Sequence, residues 1–256
     1  MSQKVKQVNK KNMIIILVVV LLMLVILYFA SKLVLVSIVT KDKIYDDSID
    51  VSYKEVIIDK KVLSEDEYYK HKNVKFKNLL NDYDVTLENN ILKGKKEDKV
   101  YFVMTINDDI VAKMYNELNK NNETNETLGF QMNSILLNLF PNAEKDFVID
   151  NNIKNGLELE KLCVNYISNN FSIFDSFKKI AINGTFLSSQ CYYYGQTFFD
   201  CDNYKGVYGF MSDNNLLIGI SYKDKVYNFY FKDYFEGSKE EIITQVEDFI
   251  SSIVIG

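Results

Sequence analysis

Residues 13 to 30 read MIIILVVVLLMLVILYFA, a run without a single charge. As a helix, at ~1.5 Å per residue, it spans about 27 Å, against a hydrocarbon core of roughly 30 Å. Ser31 and Lys32 interrupt the run, and Leu33 to Val39 resume it. A helix over 13 to 39 reaches about 40 Å and needs tilt, with the Lys32 ammonium snorkelling to the headgroups. A buried helix of a soluble protein rarely lacks any polar position over such a length. A cleaved signal peptide has an apolar region of about 7 to 15 residues closed by a small-x-small site, which Tyr28-Phe29-Ala30 does not supply. No cysteine follows to carry a lipid. The expected element is an uncleaved signal anchor.

The flanks predict its orientation. Lys4, Lys6, Lys10 and Lys11 precede the run, and residues 1 to 40 contain no acid. Beyond it, Lys41 and Lys43 meet Asp42, Asp46, Asp47 and Asp50. The positive-inside rule then leaves the N-terminus in the cytoplasm and the rest of the chain outside. The organisation expected is a cytoplasmic tail at 1–12, the plasma-membrane anchor at 13–36, a juxtamembrane exit at 37–60 and an extracytoplasmic α+β domain at 61–256.

The residues from 41 onward carry 25 lysines and all 35 acids, a net charge of −10. Such a surface is wrong for nucleic acid. There is no arginine, so the bidentate fork that favours phosphate and carboxylate ligands is missing. The bias toward Lys, Asn, Ile and Tyr is also what an AT-rich genome would give. Cys191 and Cys201 flank a turn-like stretch, and Cys163 sits in a helical pattern. An oxidising location permits a 191–201 disulfide, worth roughly 2–3 kcal/mol for so short a loop; three reduced cysteines is an equally open reading. With one histidine and no C-x-x-C pair, a Cys/His zinc site is excluded, and no metal or cofactor is expected.

Periodicity divides the remainder. A strand is expected near Val51 to Ile58. Ser64 followed by three acids reads as a helix start, leading into a charged helix over 65–82. Residues 83–87 and 100–106 alternate and read as an antiparallel pair joined by a polar link at 93–98. Asn107-Asp108-Asp109 caps a helix carrying Ile110 to Leu118. A polar loop at 119–127, a helix at 128–140 ended by Pro141, a loop at 142–156, a helix at 157–167 and a turn at 171–177 follow. From Lys179 the period is two, with strands at 179–193, 196–201, 205–211, 215–222 and 225–232. Short polar links between them predict an antiparallel meander. Ser238-Lys239-Glu240-Glu241 is a capping box, and Ile242, Ile243, Val246, Phe249, Ile250 and Ile253 form one stripe of the helix it opens. The helix is expected to cover one face of the meander, an α+β layering. A strand meander closed by a final helix resembles the PsbP-like class of folds; the resemblance is confined to the C-terminal part of the chain, and no functional residue carries over from it.

Few residues suggest chemistry. His71, among lysines, reads as a surface histidine without a nucleophile or orienting acid. Asp200 to Asn203 and Ser212 to Asn215 offer oxygens in the manner of calcium loops, but Asp and Asn are ordinary turn residues and neither stretch matches an EF-hand. Tyr192, Tyr193, Tyr194, Phe198 and Tyr204, joined by Phe199 and Tyr208, crowd one hairpin. They are the candidate ligand-binding platform, for sugar rings or a partner's apolar surface. Alternate core positions with high β propensity would produce the same pattern. Asn122, Asn125, Asn170 and Asn183 head N-x-S/T triplets. No phosphate loop, dinucleotide fingerprint, zinc-protease or serine-hydrolase motif occurs, and no catalytic residue is assigned.

The function expected is a binding or assembly module at the cell envelope, not an enzyme. Its partners would be the lipid bilayer and another envelope protein or polymer. Two alternatives stand beside it. One is an extracytoplasmic hydrolase using two carboxylates, which requires two acids facing one cleft. The other is a membrane-embedded regulator acting through its helix.

Overall fold

The computed structural model describes residues 10–39, 50–120, 143–168, 194–212 and 215–256. The apolar run lies in α1 (Lys10–Val39). From Met13 to Phe29 its large side chains are 47–67% exposed, so none is packed on the folded body. It is one helix long and apolar enough to cross a membrane.

The period-two segments form an eight-stranded sheet in the order β1-β7-β8-β9-β10-β6-β5-β4. The strands are β1 (Asp50–Ile57), β4 (Asp84–Glu88), β5 (Ile91–Lys96), β6 (Lys99–Asp108), β7 (Tyr194–Cys201), β8 (Tyr204–Ser212), β9 (Asn215–Tyr222) and β10 (Lys225–Lys232). The expected meander is β7 to β10. β1, inside the stretch expected as exit, pairs in parallel with β7 and forms one edge. A second sheet holds β2 (Tyr68–His71), β3 (Val74–Lys77) and β11 (Val254–Ile255). The helices of the body are α2 (Ile110–Asn119), α3 (Ala143–Asp150), α4 (Gly156–Ser168) and α5 (Lys239–Ser251). The architecture is α+β.

Alternation sends successive residues to opposite faces, and both faces are covered. On one face Tyr227, Phe229 and Phe231 of β10 join Phe102 and Met104 of β6, under Val246, Phe249 and Ile250 of α5. Phe76 of the small sheet completes this core; its ring centroid lies 5.5 Å from that of Phe229 and 5.8 Å from those of Phe102 and Phe249. Gly206 leaves room here for the Phe199 ring, since a Cβ at Gly206 would lie 2.3 Å from Phe199 Cζ. On the other face Phe198 and Val207 meet Val111 and Met114 of α2, Phe147 and Val148 of α3, and Leu159 and Val164 of α4.

Four expectations change. The charged helix over 65–82 is a single 3-10 turn, Glu65–Glu67, followed by β2 and β3. Val74 and Phe76 alternate with Lys75 and Lys77, and the fully buried pair sets the period. The polar link at 93–98 is largely β5, which stands between the two strands expected to be neighbours. The turn sits at Glu97-Asp98, both at positive φ, as a two-residue hairpin requires. Residues 143–150, expected as loop, are helical because Phe147 and Val148 are buried against α2 and α4. His71 is buried, 9% exposed, not a surface residue. Burial lowers its pKa, and Lys72 adds to that. The expected segments at 119–127, 128–140, 171–177 and 179–193 lie wholly or almost wholly outside the described residues, as do the four N-x-S/T asparagines.

The second face is locked by one carboxylate. Asp109 is 2% exposed and caps α2, its Oδ1 accepting from Ala112 N at 3.0 Å. The same group accepts from Gly156 N, the first residue of α4, at 3.1 Å (Oδ1) and 3.0 Å (Oδ2). Two helix N-termini, each with unpaired amides and a partial positive charge, thus converge on one anion. Replacing Asp109 by Ala strands both sets of amides. Urea unfolding of the detergent-solubilised chain should show a loss of about 2–4 kcal/mol for Asp109→Ala and a smaller one for Asp109→Asn, which keeps an acceptor.

Candidate functional site

The site begins where Asp109 pins α4. Gly156 and Glu160 are four residues apart and share one helical face. That face looks onto the sheet. Across β7 to β10 the facing positions form two rows. Gln196 lies beside Gly209 and Leu217, while Phe198 lies beside Val207, Gly219 and Asn228. Gly209 and Gly219 carry no side chains, so the sheet is depressed beneath Glu160. A cavity of about 170 Å³ results, with a mainly apolar wall. A Cβ on Gly219 would stand 3.4 Å from Asn228 Oδ1 and 3.8 Å from Val207 Cγ1, within this space.

One ionisable group dominates it. Glu160 Oε1 accepts from Gln196 Nε2 at 3.3 Å. Burial pushes the Glu160 carboxyl up to about 7, and the Gln196 hydrogen bond only partly opposes that. No lysine lines the cavity among the described residues. Lys161, next along α4, instead pairs with Glu55 of β1 at 2.8 Å.

A second, wider cleft of about 570 Å³ runs along the β1 edge beside α4. Its described lining holds three acids: Glu55 pairs with Lys161 at 2.8 Å, Asp200 pairs with Lys205 at 2.6 Å, and Glu158 accepts from Lys154 N at 2.7 Å. Phe198 contributes to its wall.

The aromatic hairpin is distributed differently from a platform. Phe198 is buried toward the helical layer and stacks edge-on with Tyr53, their centroids 5.8 Å apart. Tyr204, 2% exposed, points to the opposite face. Its hydroxyl donates to Ile250 O at 2.7 Å and Ile253 O at 3.2 Å, closing the C-terminal end of α5. Tyr208 follows Tyr204 and donates to Glu247 Oε1 at 2.9 Å. Tyr194 opens β7 opposite Asp50. Tyr192 and Tyr193 lie outside the described residues, as does Cys191. Cys201, its candidate disulfide partner, is a free and buried thiol whose pKa is raised by burial. No group of three His, Cys, Asp or Glu side chains suited to a metal gathers among the described residues.

Glu160, Gln196, Gly219 and Asn228 were not singled out by sequence reasoning. A signal existed for one of them: Glu160 falls between Leu159 and Val164 on the apolar side of α4. A carboxylate there has to be buried or reached by a ligand.

Two measurements check this geometry. Tyr204→Phe removes the hydroxyl donor from Ile253 O and leaves Ile250 O with the Ile253 amide at 3.0 Å; stability should fall by about 1–2 kcal/mol, and amide exchange should quicken around Ile253. For Glu160 the unfolded carboxyl titrates near 4.5 and the folded one near 7. Below the first value both states are protonated; above the second both are ionised, and the folded state alone bears the burial cost. Stability therefore falls as pH rises from 4.5 to 7. Glu160→Gln should flatten that slope, adding roughly 2–3 kcal/mol at pH 8 and nearly nothing at pH 4 in urea melts. Compared with protein-family models, curated proteins and solved structures, the chain matches none.

Proposed function

We propose that this chain is a single-pass membrane protein that holds an acidic α+β body outside the cell, where it binds a ligand or partner at the envelope. The observation that carries the reading is the stretch of α1 from Met13 to Phe29, apolar on all sides and with every large side chain exposed. Exposing that surface to water would be prohibitive, at about 25 cal/mol per Å². The orientation follows from Lys4, Lys6, Lys10 and Lys11 on one side and the acid-rich flank on the other. A body with net charge −10 repels nucleic acid and anionic headgroups. Binding is favoured over hydrolysis because the cavity under α4 has one carboxyl among its described lining residues, where acid/base hydrolysis needs two.

Full-length protein tagged at both ends tests this. It should remain in the pellet after carbonate washing. Protease added to intact cells should remove the C-terminal tag and spare the N-terminal one. Full-length protein in the carbonate supernatant, or the reverse protection pattern, would refute the reading.

A further inference from the structure

We infer that the cavity between α4 and the β7–β10 meander is a binding site for a compact organic ammonium ion. This names a ligand class for the binding module proposed above, and it rests on that reading only for where the ligand is met.

The lining of the cavity sets the chemistry of its ligand. Its wall is mainly apolar, with Leu157, Val207 and Leu217 among the side chains that form it. The polar side chains are Glu160, whose carboxylate accepts, Gln196, whose amide nitrogen already donates to it, Asn228, whose carboxamide oxygen lies toward the space over Gly219, and Ser221, whose hydroxyl can play either part. Among the described residues Gln196 supplies the one hydrogen bond to Glu160, a neutral contact that engages one carboxylate oxygen. Among the described residues no cation faces Glu160. The neighbouring charges on α4 are engaged elsewhere, Lys161 with Glu55 and Glu158 with the Lys154 amide. Tyr208, the other titratable residue on the wall, turns its hydroxyl away to Glu247.

Elsewhere on this acidic body, several carboxylates each contact two lysines. Asp108 contacts Lys113 and Lys225, Asp248 contacts Lys61 and Lys77, and Glu65 contacts Lys70 and Lys75. Glu160 is the one placed in an apolar hollow without such a partner among the described residues. An apolar hollow holding an ionisable carboxyl with no cation among its described lining residues complements a molecule that brings positive charge and donors on an apolar frame. Size narrows the class. An apolar cavity of about 150 Å³ accommodates benzene, so about 170 Å³ suits roughly six to nine non-hydrogen atoms. The ammonium would replace the missing counter-ion, and the ring or chain would lie over Gly219. Glu160 must be ionised to pair, so binding near neutral pH transfers the proton of its neutral form to buffer.

The test uses the full chain in detergent, with benzylammonium as probe and benzyl alcohol as its uncharged counterpart, by titration calorimetry. The expected result is one saturable site for benzylammonium, with benzyl alcohol at least about tenfold weaker. Glu160→Gln should weaken benzylammonium about tenfold or more and leave benzyl alcohol nearly unchanged. Gly219→Leu, which fills the hollow without touching the carboxyl, should abolish both. Proton release at pH 6.5, read from buffers of different ionisation enthalpy, should vanish in Glu160→Gln. Equal affinity for the two probes, no saturable binding of benzylammonium, or an unchanged Glu160→Gln would each overturn the inference. None of these results depends on membrane orientation, so the failure of one proposal is separable from the failure of the other.

Discussion

The helical layer of this protein hangs on the carboxylate of Asp109. A buried carboxylate is ordinarily a liability unless it is paired or hydrogen-bonded. Here it accepts from the leading amides of α2 and α4, so its charge is met by two helix ends. That single contact sets where α4 starts. The start sets the rotation of the helix, and the rotation turns Glu160 toward Gln196 on β7. Residues 47 apart in sequence, Asp109 and Gly156, therefore define a cavity that neither of them could form locally.

The opposite face of the sheet depends on apolar packing. Phe76, Phe102, Phe229 and Phe249 are each no more than 1% exposed. At about 1.5–3 kcal/mol per buried large side chain, this cluster outweighs any surface ion pair, worth about 0–1 kcal/mol. Polar groups enter this core only with partners. The Tyr204 hydroxyl closes the last carbonyls of α5, and the Ser252 hydroxyl donates to Phe249 O and accepts from Lys77 N. The small sheet is thereby joined to the end of the final helix.

The two faces differ in purpose as well as composition. One is filled by rings to the limit that Gly206 allows. The other is interrupted by Gly209 and Gly219, and a carboxyl is placed over the gap. A residue such as Glu160 costs folding free energy at neutral pH, and a well-packed apolar side chain in its place would not. Keeping a destabilising acid beside vacant space is characteristic of sites shaped for a ligand rather than for stability.

Much of this was legible along the chain. The apolar run, the β7–β10 meander, the capping box at Ser238 and Asp109 as a helix cap all depend on neighbours within a few residues. So does the α+β layering that follows from a meander and an amphipathic final helix. What escaped depends on distant contacts. Lysines masked the alternation of Val74 and Phe76, and only Phe229, Phe102 and Phe249 around the Phe76 ring settle it. β5 reads as a link because its apolar residues are few, until β6 pairs with it. The aromatic hairpin suggests a platform because residue type does not say which face is outward; the paired strands send Phe198 to one core and Tyr204 to the other. The cavity is the extreme case. Glu160, Gln196, Gly219 and Asn228 come from one helix and three strands, and no local spacing relates them. The sequence by itself determined the strongly periodic elements, namely the β7–β10 meander, the final helix and the helix that suits a bilayer, because those follow from short-range periodicity. Only tertiary structure could decide the site, because an empty volume has no residues of its own.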